Sequence, residues 1–256
     1  MKIATWNVNS IRARMERLRE WLVAQTPDVL CLQETKVEDD LFPALELESL
    51  GYRVAAYGQK TYHGVAVLAR LPLDDIVRGL GDGVEDAQAR FLVVRVGGVR
   101  VGSLYVPNGQ AVGTDKFAYK LAWLQRLRAW LFAHADAGQP LVLCGDFNVA
   151  PEDRDVHDPE VWRDQVMCHP DERAALAEVR RWGLVDVFRR LNPDPGRYTW
   201  WDYRQLSFPK NRGLRIDHIL CTERMAARCR SVAIDRDARK GQAPSDHAPV
   251  IAEFAD

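Results

Sequence analysis

Six short apolar runs in this chain each abut an acid, an amide, a tyrosine or a histidine, and this repeated junction constrains the fold more than any other feature of the sequence. The clearest is residues 141–151, Leu-Val-Leu-Cys-Gly-Asp-Phe-Asn-Val-Ala-Pro. Its first four residues suit a buried strand, and Gly145 permits a sharp turn or a close backbone approach at the strand's end. Strand alternation then sends Asp146 and Asn148 to the same side. Asp and Asn also close ordinary turns, so this run alone leaves both readings open. The junction recurs at Trp6-Asn7, at Leu32-Gln33-Glu34 and at Tyr105-Val106-Pro107-Asn108, and it reverses at Asp217-His218-Ile219 and at Asp246-His247 before Val250. Where antiparallel neighbours run in opposite directions, the ends of some strands and the starts of others meet at one edge. The pattern predicts a single polar site along that edge.

Between these runs the helical spacings are plain. Ser10 can cap a helix with Ile11, Met15, Leu18 and Leu22 on one face and Arg12, Arg14, Arg17 and Arg19 on the other, a basic face that reads as solvated. Residues 41–50 form a short helix stopped by Gly51, and 65–68 a strand. Residues 78–86 read as a loop, and the strands 91–96 and 99–106 are joined through Gly97-Gly98. Thr114 and Asp115 cap the longest helix, whose apolar stripe is drawn by Phe117, Leu121, Leu124, Leu127, Leu131 and Phe132. The polar stretch 152–164 is a candidate substrate-facing loop, and residues 171–182 a further helix. After the turn at 193–196, residues 198–203 read as an aromatic strand that sends Trp200 and Trp201 to opposite faces, one to the core and one to a pocket.

No glycine-rich phosphate loop follows the first strand, which disfavours a doubly wound parallel sheet. The hairpin and the opposite strand polarities at Asp146 and Asp217 favour an α+β sandwich. Hydrophobic residues at 47% and charged residues at 28% supply both a core and a hydrated surface, which excludes a disordered chain. Without a linker or an internal repeat, residues 1–256 are expected to form one domain. The net charge of -1 excludes a global polycation, so any nucleic-acid surface has to be local. Neither a signal peptide nor a membrane span is evident, and five cysteines without C-x-x-C spacing point to a reducing cytoplasm and no zinc.

Glu34, Asp146, Asp217 and Asp246, with Asn7, Asn9 and Asn148, make an all-oxygen set that suits Mg²⁺ or Mn²⁺. Acids massed at one edge repel unless a cation or hydrogen-bond donors offset them. An Asp can also orient an imidazole and support its protonated form, so His247 paired with Asp217 or Asp246 could stabilise charge on a phosphate. Tyr105 could reach a phosphoryl oxygen or be an ordinary strand aromatic.

Taken in order, the words Trp6-Asn7-Val8-Asn9, Leu32-Gln33-Glu34-Thr35-Lys36, Tyr105-Val106-Pro107-Asn108-Gly109, Gly145-Asp146-Phe147-Asn148, Gly213-Leu214-Arg215-Ile216-Asp217 and Ser245-Asp246-His247-Ala248-Pro249 resemble the exonuclease III family, the bacterial abasic-site endonucleases of the endonuclease/exonuclease/phosphatase superfamily. That resemblance implies a four-layered α/β sandwich, two mostly antiparallel packed sheets flanked by helices, and Mg²⁺-dependent cleavage of duplex DNA 5′ to abasic sites, with Mn²⁺ able to substitute. It also implies 3′-to-5′ exonuclease and 3′-phosphatase action, by a monomer. By the same likeness Asn7, Glu34 and Asp246 serve the metal, and Asp146 activates or positions water. Asn148 orients that water or the phosphate, Tyr105 and His247 contact the phosphate, and Asp217 pairs with His247. Trp200, Leu214 and Ile216 would line a pocket for a flipped-out abasic sugar. Asn9, Asn108, Lys210, Arg212 and Arg215 would touch substrate, the last three as backbone contacts. Superfamily cousins that hydrolyse inositol phosphates or sphingomyelin, and a damage-binding module without catalysis, are the competing readings.

Overall fold

The computed structural model describes residues 1–255. Two six-stranded mixed sheets lie face to face. The first takes β1 (Lys2–Asn7), β2 (Val29–Gln33), β3 (Arg53–Tyr57), β4 (Val65–Ala69), β11 (Cys229–Ile234) and β12 (Val250–Phe254), in the order β11-β12-β1-β2-β4-β3. The second takes β5 (Asp74–Arg78), β6 (Phe91–Val96), β7 (Val99–Tyr105), β8 (Leu141–Asp146), β9 (Leu184–Asp186) and β10 (Asp217–Thr222), in the order β5-β6-β7-β8-β10-β9. The β1–β2 and β7–β8 pairs are parallel, because a helix returns the chain between them, and every other pairing is antiparallel.

Alternation sorts each strand between two cores. On β8, Val142 and Cys144 face the opposite sheet, in one core with its Ile3, Cys31, Val65 and Val67. Leu141 and Leu143 face outward, onto the helices α3 (Asp115–His134) and α5 (Pro170–Arg181) through Leu124, Leu127, Leu131 and Leu176. On the other flank Trp6, Leu30 and Leu32 meet Leu18, Trp21 and Leu22 of α1 (Met15–Gln25). Helix, sheet, sheet and helix thus give the expected four-layered sandwich, with each buried large side chain contributing on the order of 1.5–3 kcal/mol.

Several local expectations differ. The stripe of α3 runs through Phe117, Lys120, Trp123, Leu124, Leu127, Trp130 and Leu131, while Phe132 is 62% exposed. Residues 198–203 form no strand: Trp200 makes only isolated bridges to Leu214 and His247. Within 152–164 the chain folds into a short helix, α4 (Pro159–Trp162), capped by Asp158. The all-exposed β5 carries no apolar alternation and offered no signal. The basic face beside α1 is not merely solvated. Arg17 donates to the carbonyls of Ala238, Lys240 and Gln242, and Arg14 to that of Pro244, which straps down the segment leading to Asp246. No described helix is long and apolar enough to cross a membrane.

Candidate active site

Strand register brings the polar ends together. Tyr105 stands beside Asp146 across the parallel β7–β8 pair, and Asp217 opposite Asp146 across the antiparallel β8–β10 pair. In the other sheet β1 ends at Asn7 beside Gln33, one residue before Glu34, and β12 enters alongside β1 just after His247. Gly145 makes the approach possible. It holds φ +150°, and a Cβ there would sit 2.0 Å from the Leu104 carbonyl oxygen. Beneath the site Gln33 Nε2 donates to Thr5 Oγ1 and, across the sheets, to Ser103 Oγ, each at 3.0 Å, and Ser103 Oγ donates back to the Leu32 carbonyl at 2.9 Å. This polar strap carried no recognisable sequence signal, since Gln33 and Ser103 read as isolated strand polars.

The centre is a ring of carboxylates around two donors. Asn7 Nδ2 donates to Glu34 Oε1 and to Asp146 Oδ2, both at 2.9 Å. His247 Nδ1 lies 2.8 Å from Asp217 Oδ2, and its Nε2 3.7 Å from Asp146 Oδ2. Burial disfavours a charged imidazole, yet the Asp217 and Asp146 carboxylates outweigh it and raise His247 to about 10. Burial pushes the Asp146 carboxyl up to about 7, with Asp217 and Glu34 adding to the push and the His247 charge opposing it. For Glu34 burial is overcome by the Lys36 ammonium, 2.9 Å from Oε2, and the carboxyl is held below its ordinary range. Burial, with Glu34 and Asp146 nearby, drives the Tyr105 phenol well above its ordinary value, so it stays a neutral hydrogen-bond donor. The Tyr105 ring lies under the Arg90 guanidinium, 4.6 Å from its centroid, and opens on a cavity of about 520 Å³ shared with Asn108, His63 and Lys116.

Ligand atoms of Glu34, Asp146 and His247 lie within 4.8 Å of one another. With His247 protonated, the donors left are hard carboxylate oxygens, which fit a divalent cation of the Mg²⁺ type that keeps several waters. Asp246 stands outside this group. Its Oδ1 accepts from Asn9 Nδ2 at 2.9 Å and its Oδ2 from the Trp200 indole at 3.0 Å, and these bonds and the His247 charge lower its carboxyl despite burial. Lys36 Nζ also donates to Asn9 Oδ1 at 2.6 Å, a contact not anticipated from the sequence. Asn148 donates from Nδ2 to the Val106 carbonyl at 2.9 Å and accepts from Asn108 Nδ2 at 3.1 Å.

One sequence-predicted substrate contact is corrected. Arg215 has no exposed surface and cannot reach a DNA backbone. It binds Asp155 at 2.6 Å, Asp186 at 2.8 Å and His218 Nδ1 at 2.8 Å, partners remote in sequence that turn it inward. Leu214 and Ile216 are likewise fully buried, packed beneath Met167 and Val156 with Trp162 and Trp200 against the same cluster. The two residues share this cluster with Trp162 and Trp200. Trp200 does line a cavity of about 600 Å³, together with Trp162, Gln165 and Arg212, while Trp201 is buried on the other side as expected. Lys210 and Arg212 are exposed on the neighbouring loop.

The profile described as the Endonuclease/Exonuclease/phosphatase family matches residues 4–247. The chain is 38% identical to a Haemophilus influenzae protein named exodeoxyribonuclease III, over 99% of this chain and 100% of that one. An AP endonuclease structure from Archaeoglobus fulgidus superposes with a TM-score of 0.97 at 40% identity, covering 99% of each chain. The 3′ phosphatase NExo from Neisseria, bound to a product DNA hairpin, superposes with a TM-score of 0.96 at 41% identity, covering 100% of this chain and 99% of that one.

Proposed function

Because the chain belongs to the endonuclease/exonuclease/phosphatase family, we propose that it is a DNA repair nuclease that uses a divalent metal to hydrolyse the phosphodiester 5′ to abasic sites in duplex DNA, with 3′-to-5′ exonuclease and 3′-phosphatase action at the same centre. The observation that carries the reading is the buried, doubly flanked His247 beside the Glu34–Asn7–Asp146 cluster, where a cation and a phosphate can be held together. Mg²⁺, with Mn²⁺ as a substitute, would be held by Glu34 and Asp146 with Asn7 orienting both carboxylates, and Asp246 would keep Asn9 and Trp200 in place around it. When bound, that ion supplies Lewis-acid stabilisation of phosphoryl charge.

The remaining chemistry belongs to the chain. Asp146 takes a proton from the attacking water as its oxygen bonds to phosphorus. The bond from phosphorus to the 3′ oxygen breaks in line with it, and that oxygen keeps the bonding pair and takes a proton from solvent, leaving a 3′-hydroxyl on one side and a 5′-phosphate on the other. Protonated His247, the neutral Tyr105 hydroxyl and the Asn108 and Asn148 amides donate to the phosphate oxygens or fix the water. Asp217 keeps His247 oriented and charged. Lys210 and Arg212 meet the DNA backbone.

We place the protein in the cytoplasm, acting as a monomer and as one domain.

The test is an end-labelled duplex carrying one internal tetrahydrofuran abasic analogue, incubated with Mg²⁺ or with EDTA and resolved at single-nucleotide length. A single Mg²⁺-dependent product ending at the lesion supports abasic cleavage, and a ladder from the 3′ end makes exonuclease action dominant. No product in either condition refutes the assignment.

A further inference from the structure

Lys120 and Glu172 form an ion pair with no exposed side-chain surface, on the apolar face of α3 and in the first turn of α5. An ammonium has three N–H donors and no acceptor. Here all are used, by the Asn108 carbonyl at 3.1 Å, the Asn148 carbonyl at 2.6 Å and Glu172 Oε1 at 2.5 Å. Glu172 carries no other side-chain partner among the described residues, and the backbone N–H groups of Met167 and His169 approach the same carboxylate. A buried pair of this kind adds little net stability relative to apolar residues of similar size. Stability alone therefore leaves the pair unexplained.

Its partners suggest what it does. Asn148 holds φ +50°, a left-handed backbone that a non-glycine residue seldom adopts. Two residues past the end of β8, its carbonyl accepts from the same buried ammonium as the carbonyl of Asn108. Two carbonyl oxygens aimed at one buried point repel unless a cation lies between them. The side chains of the same residues are bonded to each other at 3.1 Å on the side facing the cluster. Gly109 leaves room for the lysine stem, since a Cβ there would lie 3.1 Å from Lys120 Cδ.

We propose that Lys120 is a positioning residue whose ammonium ties the loops after β7 and β8 together through the Asn108 and Asn148 carbonyls, and so sets the spacing of both amides against the scissile phosphate. This inference rests on the nuclease reading above. Lys120→Met alone would strand the Glu172 carboxylate, so the informative variant combines Lys120→Met with Glu172→Leu. Breaking a buried pair is strongly destabilising, whereas replacing both members by apolar groups leaves no stranded charge. The Asn108 and Asn148 carbonyls still lose their donor, so the double variant should melt below the wild type but above Lys120→Met, with kcat on DNA lowered about tenfold to hundredfold and KM within about threefold. A stable double variant with kcat within about threefold of wild type overturns the proposal. In a second variant, Glu172→Gln, the acceptor and both carbonyl contacts remain, so kcat should stay within about threefold even if the melting temperature falls. A loss there as large as in Lys120→Met would assign the effect to the ion pair and overturn the clamp. Absence of cleavage by the wild type would sink the parent reading, an outcome separable from either result.

Discussion

The imidazole of His247 turns Nδ1 to Asp217 Oδ2 at 2.8 Å and Nε2 toward Asp146 Oδ2 at 3.7 Å, so one buried histidine is gripped by carboxylates from both sides. Both acids come from the second sheet, as register partners on β8 and β10, whereas His247 arrives on the segment that leads into the first. The cation at the site is therefore also a bridge between the sheets.

Removing the charge but not the shape of one grip isolates its chemical part. Asp217→Asn should lower the single-turnover rate by about a hundredfold or more, because His247 loses both its charge partner and its fixed orientation. A rate within about threefold of wild type would show that Asp217 is dispensable.

Asp146→Asn should cost on the order of a hundredfold to ten-thousandfold in rate while leaving DNA affinity largely intact. Fluorescence anisotropy with a labelled abasic duplex, alongside gel-resolved cleavage, separates these effects. Near-normal turnover would remove Asp146 from the role of base.

Glu34→Gln keeps the hydrogen bond from Asn7 in reach but weakens the anionic pair with Asp146. The Mg²⁺ concentration giving half-maximal activity should rise about tenfold or more. Calorimetric titration of the DNA-free protein with Mn²⁺ checks the same loss without catalysis, and an unchanged affinity would place the metal elsewhere.

The Asp155–Arg215–Asp186 network predicts acid sensitivity. Both carboxyls are buried, yet the arginines hold them below the usual range. A depressed folded-state pKa contributes stability that is present above the unfolded value, about 3.9, and is lost as pH falls toward the folded one. Urea midpoints should therefore decline below about pH 5. Arg215→Met should cost about 3–5 kcal/mol at neutral pH, and the deficit should shrink on acidification as the stranded acids take up protons. A deficit independent of pH would rule out the electrostatic origin.

At Gly145 the added methyl of an alanine would overlap the Leu104 carbonyl oxygen, at 2.0 Å. Gly145→Ala should cost more than about 2 kcal/mol, or about 2–4 °C of melting temperature per kcal/mol for a chain of this size. A thermal melt matching the wild type would mean that the two strands separate there at little cost.

Strand ends were readable in the sequence because alternation and an abrupt polar residue are local signals, and so Asn7, Glu34, Asp146, Asp217 and His247 fell to one edge. Arg215 was misjudged because its partners are 60 and 29 residues away, and nothing near it says which way it turns. Lys120 had a local clue. It sits three residues after Phe117 and four before Leu124, on the stripe that buries, where a lysine needs a partner. Helix geometry exposed Phe132 by the same logic, since it lies one position past the end of that stripe. Leu214 and Ile216 are buried with Ala150, Val156, Met167 and Cys168, residues of distant segments that no spacing rule brings together.

The pairing of β1 with β12 has a consequence for synthesis. Trp6 donates to the His247 carbonyl and Ser245 to that of Asn7, across separations of 241 and 238 residues. A nascent chain thus completes nearly all of both sheets while still lacking the histidine and while β1 lies open as an edge. Until the segment through Phe254 docks, the site lacks His247 and β1 presents an unpaired edge, the kind of edge that invites pairing with another chain.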